Sequence, residues 1–121
     1  MKNFLRLTKA LSDVNRVRVM KLLEGRSLCV CEIREVLGLA QPTVSSHMKI
    51  LEDAGLVSKE RQGTWMIYSQ NQETDSPYVQ TMLAQLRGWL NDDPELCQMI
   101  AALPAAACLK VATLKASSPS T

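Results

Sequence analysis

Apolar residues recur at helical spacing along most of the chain, and this pattern predicts a mainly α-helical fold. Residues 2–11 predict a short amphipathic helix. A second helix follows, with Ser12 or Asp13 as its cap and Gly25 at its end. Short polar side chains suit helix starts, and glycine suits the left-handed residue that ends a helix. We expect Arg16 and Arg18 of this helix to face solvent or a phosphate group.

The centre of the chain contains two predicted helices with a tight turn between them. Residues 30–37 predict the first helix, Gly38 begins the turn, and Gln41 opens the second helix. The buried stripe of the second helix, at i, i+4 and i+7, is Val44, Met48 and Leu51. This order predicts a helix-turn-helix, whose second helix enters the major groove of DNA. A plain helical hairpin with a solvated face is the alternative.

The polar face of the second helix is the predicted DNA contact surface. Its hydroxyl and amide side chains are short enough to reach phosphates and base edges within the groove. The chain has one histidine, and its place on this face favours DNA contact over metal binding. The predicted contacts are Gln41, Thr43, Ser45, Ser46, His47 and Lys49.

A β-hairpin is predicted directly after the helix-turn-helix. Residues 56–61 and 64–68 read as two strands joined by a two-residue turn at Gln62 and Gly63. The combination predicts a winged helix, so the expected fold class is α+β, mainly α with a small β-hairpin wing. Lys59, Arg61 and Gln62 near the tip are predicted to meet backbone phosphate or a minor groove. Ordinary hairpins also carry charge at their tips, which is the alternative.

The rest of the chain predicts a dimerisation helix and a helical extension. Ser76 and Pro77 start a helix that is expected to run to about Asn91. Its apolar stripe and the N-terminal helix predict a two-fold homodimer interface, with burial in a single-chain core as the alternative. The stripe is Val79, Met82, Leu83, Leu86, Trp89 and Leu90. We expect a DNA-binding and dimerisation domain over residues 1–91, a helical extension over 92–116 and a disordered tail over 117–121.

Composition predicts where in the cell the chain is found, and the charged residues are unevenly distributed along it. With 121 residues, the chain is expected to form one domain. Residues 1–68 carry eleven Lys and Arg against seven Asp and Glu, and residues 69–121 carry three against five, so the front is basic and the back mildly acidic. No apolar run is long enough to span a membrane, and the first residues lack a signal-peptide core. The chain is therefore expected in the cytoplasm, without a membrane partner.

Four cysteines are the candidate chemistry, and a reducing cytoplasm favours free thiols over disulfides. Cys29 and Cys31 lie at the start of the helix that precedes the predicted recognition helix, and Cys97 and Cys108 lie far downstream. Soft ions prefer thiolate sulfur, which forms most readily at a helix N-terminus. On a regular helix, residues i and i+2 point about 200° apart, so binding both sulfurs is predicted to require a first turn that is already unwound or that unwinds on binding. Buried structural thiols are the alternative.

Three stretches together resemble the arsenical-resistance repressor (ArsR) family of bacterial metalloregulators. They are LCVCE, QPTVSSHMKILEDAGLV and RQGTWMIYS, and the similarity covers about residues 5–90. The resemblance implies a homodimeric winged-helix repressor that binds a palindromic operator and leaves it when a toxic ion binds. The cysteines that hold the ion in arsenite-responsive members match Cys29 and Cys31. The third cysteine of the best-known arsenic sensors corresponds to Arg34 here, so Cys97, Cys108, a small thiol or water is expected to complete the site.

The leading interpretation is a repressor released by As(III) or Sb(III). Cd(II) or Pb(II) sensing and thiol-redox sensing are alternatives within the same fold. Zinc sensing is not expected, because a single histidine cannot build the carboxylate–histidine site of some relatives. A small thiol enzyme such as an arsenate reductase is excluded, since no Gly-rich phosphate loop or Cys-x5-Arg cradle precedes a helix. A winged helix that binds only protein is the remaining class, and it predicts no salt-dependent duplex binding.

Overall fold

Six helices and a three-stranded sheet make up residues 1–103, the part of the chain that the structure, a computed structural model, describes. The predicted continuation of the helical extension past Pro104, Cys108 and the predicted tail over 117–121 lie outside the described residues. The elements are α1 Lys2–Ala10, α2 Val14–Leu22, β1 Leu28–Cys29, α3 Val30–Leu37, α4 Gln41–Asp53, β2 Val57–Gln62, β3 Trp65–Gln70, α5 Pro77–Gly88 and α6 Pro94–Ala101.

The apolar stripe of α4 lies at the centre of the core, as its spacing predicts. Val44, Met48 and Leu51 are fully buried, and they pack with buried residues of α1, α2, α3 and α5. Asp13 is the residue that caps α2, and its carboxylate accepts the backbone N–H groups of Asn15 and Arg16. Because the apolar side of α4 is packed in the core, its opposite side is exposed to solvent.

The wing is a sheet of three antiparallel strands in the order β1-β3-β2, and the predicted turn between its two long strands is one residue early. Gln62 still pairs with Trp65, so Gly63 and Thr64 form the turn. Gly63 has φ +64 at the first turn position, which suits a Gly-x hairpin turn. The sequence pattern missed β1, in which Leu28 and Cys29 pair with Tyr68 and Ile67.

Helix α5 ends at Gly88, three residues before the predicted end at Asn91, and its apolar stripe divides between two environments. Val79, Leu83 and Leu86 are buried in the core of the single chain, so the prediction that the whole stripe forms a dimer interface is wrong for these three. Trp89 and Leu90 follow the helix and stay exposed, because Leu90 takes φ +65 and turns the chain away.

Lys21 joins α2 to the end of α5. Its side chain is 1% exposed, and its Nζ donates to the carbonyl oxygen of Leu86 at 2.5 Å and to Asn91 Oδ1 at 2.9 Å. Glu24 Oε2 lies 2.9 Å from the same Nζ. The ammonium therefore caps the C-terminal end of α5 from inside the protein. None of the helices in residues 1–103 has the length and apolar character to cross a membrane.

Candidate DNA-reading surface and thiol site

The predicted DNA contacts of α4 share one exposed face, except for His47. Val44, Met48 and Leu51 occupy the opposite, buried face, so the first turn of α4 is presented to solvent from a rigid core. Lys49 lies near the end of this face, where its Nζ is 3.4 Å from Asp53 Oδ1. Such an exposed pair is weak and leaves the lysine available to a phosphate. The exposed members are Gln41, Thr43, Ser45, Ser46 and Lys49.

His47 is half-buried and turned toward α2, which corrects the prediction that it lies on the outer face. Its Nδ1 is 3.1 Å from an Nη of Arg16. The same guanidinium donates from Nε to the carbonyl oxygen of Ala10 at 2.7 Å and from its other Nη to that of Lys9 at 3.4 Å. Arg16 is therefore not solvated as expected, because it satisfies the C-terminal carbonyls of α1 and joins them to α4.

Asp13 completes the charged group beside His47. Partial burial raises the pKa of its carboxyl, but backbone N–H donors from Arg16 and Asn15 and the nearby charges of His47 and Arg16 outweigh burial and lower that pKa below its ordinary value. Arg18, two residues further along α2, pairs with Glu95 of α6.

Two of the three predicted wing contacts are exposed, Lys59 and Arg61. Arg61 is exposed and pairs across the ladder with Met66, and Gln62 beside the turn is half-buried. Lys59 points back toward α4, with its Nζ 3.5 Å from Glu52 Oε1. Arg61 is thus open to a nucleic-acid backbone, whereas the Lys59 ammonium lies beside a carboxylate of α4.

The thiols of Cys29 and Cys31 already face each other, with their Sγ atoms 2.8 Å apart. Cys29 ends β1 and is the N-cap of α3, with extended backbone angles of φ −84 and ψ 165, whereas Cys31 lies in the first helical turn. The expected separation of about 200° applies only when both residues are helical. Of the two predicted possibilities, unwinding on binding is wrong, because Cys29 already lies outside the helix and the two sulfurs already meet.

Cys29 takes the place that serine or threonine usually occupies in a capping box. Glu32 Oε1 accepts the backbone N–H of Cys29 at 2.8 Å, and the Cys29 side chain faces the backbone N–H of Glu32 in return. Glu32 is buried, and its Oε2 has no hydrogen-bond partner among the described residues. The spacing Cys-x-x-Glu was the sequence signal that would have placed Cys29 outside the helix.

The environment of Cys29 keeps its thiol protonated. Burial, the hydrogen bond with Cys31 and the Glu32 carboxylate raise the pKa of Cys29 to about 12, against a smaller opposing effect of the Glu32 backbone N–H. The prediction that the helix N-terminus favours thiolate at this position is therefore wrong for Cys29. Cys31 is exposed at the surface, so a ligand meets its sulfur first.

The described residues supply two thiols at this place and not three. Within residues 1–103, no group of three or more His, Cys, Asp or Glu side chains is arranged to hold a metal ion. Cys97 is exposed on α6 and donates its thiol hydrogen to the carbonyl oxygen of Asn91, and Arg34 is exposed on α3. Two sulfurs on one tetrahedral ion with bonds of ~2.3 Å lie about 3.8 Å apart. Cys29 and Cys31 thus fit one soft tetrahedral ion after a separation of about 1 Å.

A cavity of about 290 Å³ adjoins the two thiols, and we call it the thiol cavity. It opens between the start of α3, the first residue of α4 and the wing turn. Trp65 packs against Cys29 and Ile67 on one side of it. The thiol cavity is lined by Cys29, Val30, Cys31, Gln41, Thr64, Trp65 and Met66.

Known proteins are similar to this chain in the region that contains the thiol pair and α4. Residues 13–59 match the family model described as bacterial regulatory protein, arsR family. The chain is 42% identical over 66 residues to the arsenical resistance operon repressor of Bacillus subtilis, spanning 54% of this chain and 63% of that protein. It is 36% identical over 91 residues to the arsenic resistance transcriptional regulator ArsR1 of Pseudomonas putida, spanning 70% of each.

A solved structure extends the similarity to the fold. It is the solution structure of a homodimeric winged helix-turn-helix DNA-binding domain from Mycobacterium bovis, a possible ArsR-family transcriptional regulator. The TM-score is 0.61 at 25% identity, covering 72% of this chain and 77% of that chain. The winged-helix architecture predicted from the sequence is thereby confirmed.

Proposed function

Because the chain belongs to the ArsR family of winged-helix regulators, which are DNA-binding transcription factors and not enzymes, we propose that it represses a metalloid-resistance operon. In this proposal it leaves its operator when As(III) or Sb(III) binds the thiols of Cys29 and Cys31. The observation that carries the proposal is the 2.8 Å approach of the two sulfurs beside the recognition helix. Arsenic-resistance regulators among its relatives support the inducer class.

We propose that the chain binds a palindromic operator as a homodimer. The exposed face of α4 and Arg61 of the wing supply polar and basic groups on one DNA-facing side. Phe4 of α1 and Tyr78 of α5 form an exposed aromatic contact, with ring centroids 5.5 Å apart, and Trp89 is half exposed. Exposed aromatic clusters of this kind are typical of subunit interfaces. A two-fold dimer sets two recognition helices one DNA turn apart, which requires a palindrome.

The thiol pair supports a soft, thiophilic inducer. Thiolate ligands select soft ions, whereas Mg²⁺ and Ca²⁺ prefer oxygen. Bonding to the ion displaces the thiol protons, so the raised pKa of Cys29 reduces affinity without blocking a strongly thiophilic ion. The third position is filled by Cys108, by a small thiol or by water, since Cys97 does not join the pair within the described residues.

Two connections carry the inducer signal from the thiols to DNA. Cys29 pairs with Ile67 of β3, so a movement of Cys29 when its sulfur binds the ion is passed directly to the wing. Ile33 of α3 packs in the same core as Val44 and Met48 of α4, so a shift of α3 tilts the recognition helix. A coupling of ~1–3 kcal/mol corresponds to about 5–150-fold weaker operator binding.

The test is fluorescence anisotropy on labelled promoter DNA from the protein's own gene, at fixed salt. Arsenite, antimonite, Cd(II), Pb(II) and Zn(II) are titrated into the preformed complex. We expect arsenite or antimonite to weaken binding at least about fivefold. Cys29→Ser and Cys31→Ser should bind DNA normally and ignore both metalloids, whereas Cys97→Ser should respond as the parent does. Release of Cys29→Ser by arsenite would remove the proposed role of the pair.

The same assay distinguishes two alternatives, a different soft ion and thiol oxidation. Release by Cd(II) or Pb(II) and not by metalloids would assign the same thiols to a different soft ion. The short sulfur–sulfur distance also favours a redox sensor, in which a peroxide oxidises Cys29 and Cys31 to a disulfide. In that case peroxide releases DNA and dithiothreitol restores binding, with no metalloid present.

A further inference from the structure

A cavity of about 380 Å³ lies between the start of α2 and the start of α6, away from the thiol pair in the sequence, and we call it the α2–α6 cavity. Most of its lining is aliphatic. The end of α1, the first turns of α2 and α6 and the segment between α5 and α6 all contribute to it. The aliphatic lining residues are Leu11, Val14, Val17, Leu90 and Leu96.

Two of these aliphatic side chains remain open to solvent. Val14 is 59% exposed and Leu90 is 42% exposed. Leu90 also has φ +65, the one positive φ at a non-glycine residue within residues 1–103. Such a conformation is unfavourable for a bulky side chain and persists only where the surrounding structure imposes it. Apolar side chains held open beside a cavity are typical of a surface that another segment covers.

Carboxylates give the α2–α6 cavity an acidic rim. Asp13 and Asp93 belong to its lining, and Asp92 and Glu95, which are exposed, adjoin Asp93 in the sequence. Arg18 is the one basic residue in the lining, and its guanidinium pairs with Glu95. The rim therefore stays net negative. A segment that complements this surface is both apolar and basic.

The chain itself contains such a segment beyond the described residues. Residues 104–121 contain two lysines and no aspartate or glutamate. Each lysine directly follows a leucine, in the pairs Leu109-Lys110 and Leu114-Lys115. The composition of this segment therefore matches an aliphatic cavity with an acidic rim.

The connection is long enough for the segment to reach the α2–α6 cavity. Leu96 lines the cavity and α6 ends at Ala101, so the helix carries the chain about 8 Å past Leu96 at ~1.5 Å per residue. Residues 104–108 lie between Leu103 and Leu109 and span up to ~17 Å when extended. Leu109 can therefore return to the level of Leu96.

We propose that residues 109–115 dock in the α2–α6 cavity, with Leu109 and Leu114 inside it and Lys110 and Lys115 against its acidic rim. A cavity of about 150 Å³ is enough to hold benzene, so about 380 Å³ has room for two leucine side chains. Because the segment is tethered, docking is intramolecular and proceeds at an effective concentration in the millimolar range.

Docking joins the C-terminal segment to the helix that supports the DNA-reading face. Asp13, in the cavity lining, caps α2 by accepting the backbone N–H of Arg16. The Arg16 side chain in turn contacts His47 of α4. The inference goes beyond the proposed function, because it involves neither the thiol pair nor the inducer.

The test is disulfide trapping in the full chain. Cys29→Ser, Cys31→Ser and Cys97→Ser leave Cys108 as the remaining native thiol. Because Cys108 directly precedes Leu109, docking brings its sulfur to the cavity. A second thiol is then introduced at one of two exposed positions, and diamide oxidises the pair. Non-reducing electrophoresis and peptide mass mapping separate disulfides within one chain from disulfides between chains.

The two positions differ in their relation to the cavity. Val14→Cys places the second thiol in the exposed part of the lining, and Ser58→Cys places it on β2 as the matched control. Ser58 is nearer to Cys108 in the sequence, so chain length alone does not favour Val14→Cys. We expect Val14→Cys to form the disulfide within one chain at least about tenfold faster than Ser58→Cys, and the difference to disappear in denaturing urea.

The charges give a second readout in the Val14→Cys protein. Lys110→Glu/Lys115→Glu should slow trapping about fivefold, and adding Asp92→Lys/Glu95→Lys should restore it, because the swap makes the rim and the segment complementary again. The four charged positions lie on exposed residues or outside the described residues, so the fold is preserved.

Equal trapping rates for Val14→Cys and Ser58→Cys in the folded protein would overturn the proposal. A Val14→Cys disulfide that forms only between two chains would also overturn it, because a second copy would then cover the cavity.

Discussion

Replacing Lys21 with methionine tests how the buried charge between α2 and α5 supports the fold. Lys21→Met keeps the unbranched stem, so packing is nearly unchanged, and it deletes the ammonium. Two oxygens, Asn91 Oδ1 and Glu24 Oε2, lose the ammonium as a partner, and the Leu86 carbonyl oxygen keeps only the backbone N–H of Trp89. The loss of the ammonium destabilises Glu24 Oε2 most, because this atom is buried and has no hydrogen-bond partner of good geometry among the described residues.

The expected loss of stability is about 3 kcal/mol. Removing one member of a buried ion pair costs ~3–5 kcal/mol. The Glu24 side chain is 21% exposed to solvent, so water can partly replace the lost ammonium. The lower end of this energy range therefore applies. The assay is urea unfolding followed by circular dichroism at one fixed protein concentration, because the stability of the proposed dimer would depend on concentration.

Glu24→Gln is the matched second change. In the Lys21→Met background it removes the stranded carboxylate charge, so we expect it to recover about 1 kcal/mol, whereas alone it should destabilise the protein. A loss below about 1 kcal/mol for Lys21→Met, which is the scale of one neutral hydrogen bond, would refute the assignment of Lys21 as a structural charge. So would a further loss on adding Glu24→Gln.

Three further predictions follow from single contacts. Arg16→Met should weaken operator binding at least tenfold, because α4 loses its connection to α1. The control is Arg18→Met, which removes the same charge from a pair with the exposed Glu95. It should change operator binding by only about twofold at equal salt. Asp13→Asn should lower the urea midpoint at pH 7, and the difference from the parent should vanish as the pH falls. The lowered pKa of Asp13 contributes stability above its unfolded value of ~3.9 and loses it as pH falls through the folded pKa. Gly38→Ala should destabilise by about 1 kcal/mol, since Gly38 has φ +70, whereas Gly88→Ala within α5 should stabilise slightly, both measured by thermal unfolding.

Local patterns were sufficient to predict most of the fold. The α4 stripe follows from spacing alone. The helix starts at Ser76 and at Ser12 or Asp13 follow from short polar residues, because a cap acts within one turn of the backbone. The end of α5 was missed, because the apolar spacing continues through Trp89 and Leu90 although the backbone leaves the helix at Gly88.

The thiol geometry depended on an element that local patterns do not reveal. A two-residue strand has no periodicity, and β1 exists because Leu28 and Cys29 pair with β3, almost forty residues later. That pairing holds Cys29 extended and brings its sulfur to Cys31. Tertiary packing likewise produces the contact between Arg16 and His47 and the hydrogen bond from Lys21 to Leu86. Neither contact could be predicted from the residues that adjoin these side chains in the sequence.

The most direct test of the account is arsenic K-edge X-ray absorption on the protein loaded with one equivalent of arsenite per protomer. The central claim is that Cys29 and Cys31 are paired before the inducer arrives and bind it together. The account predicts at least two sulfur neighbours per arsenic in the parent, unchanged in Cys97→Ser, and one fewer in each of Cys29→Ser and Cys31→Ser. An unchanged sulfur count in either of the last two variants would contradict it.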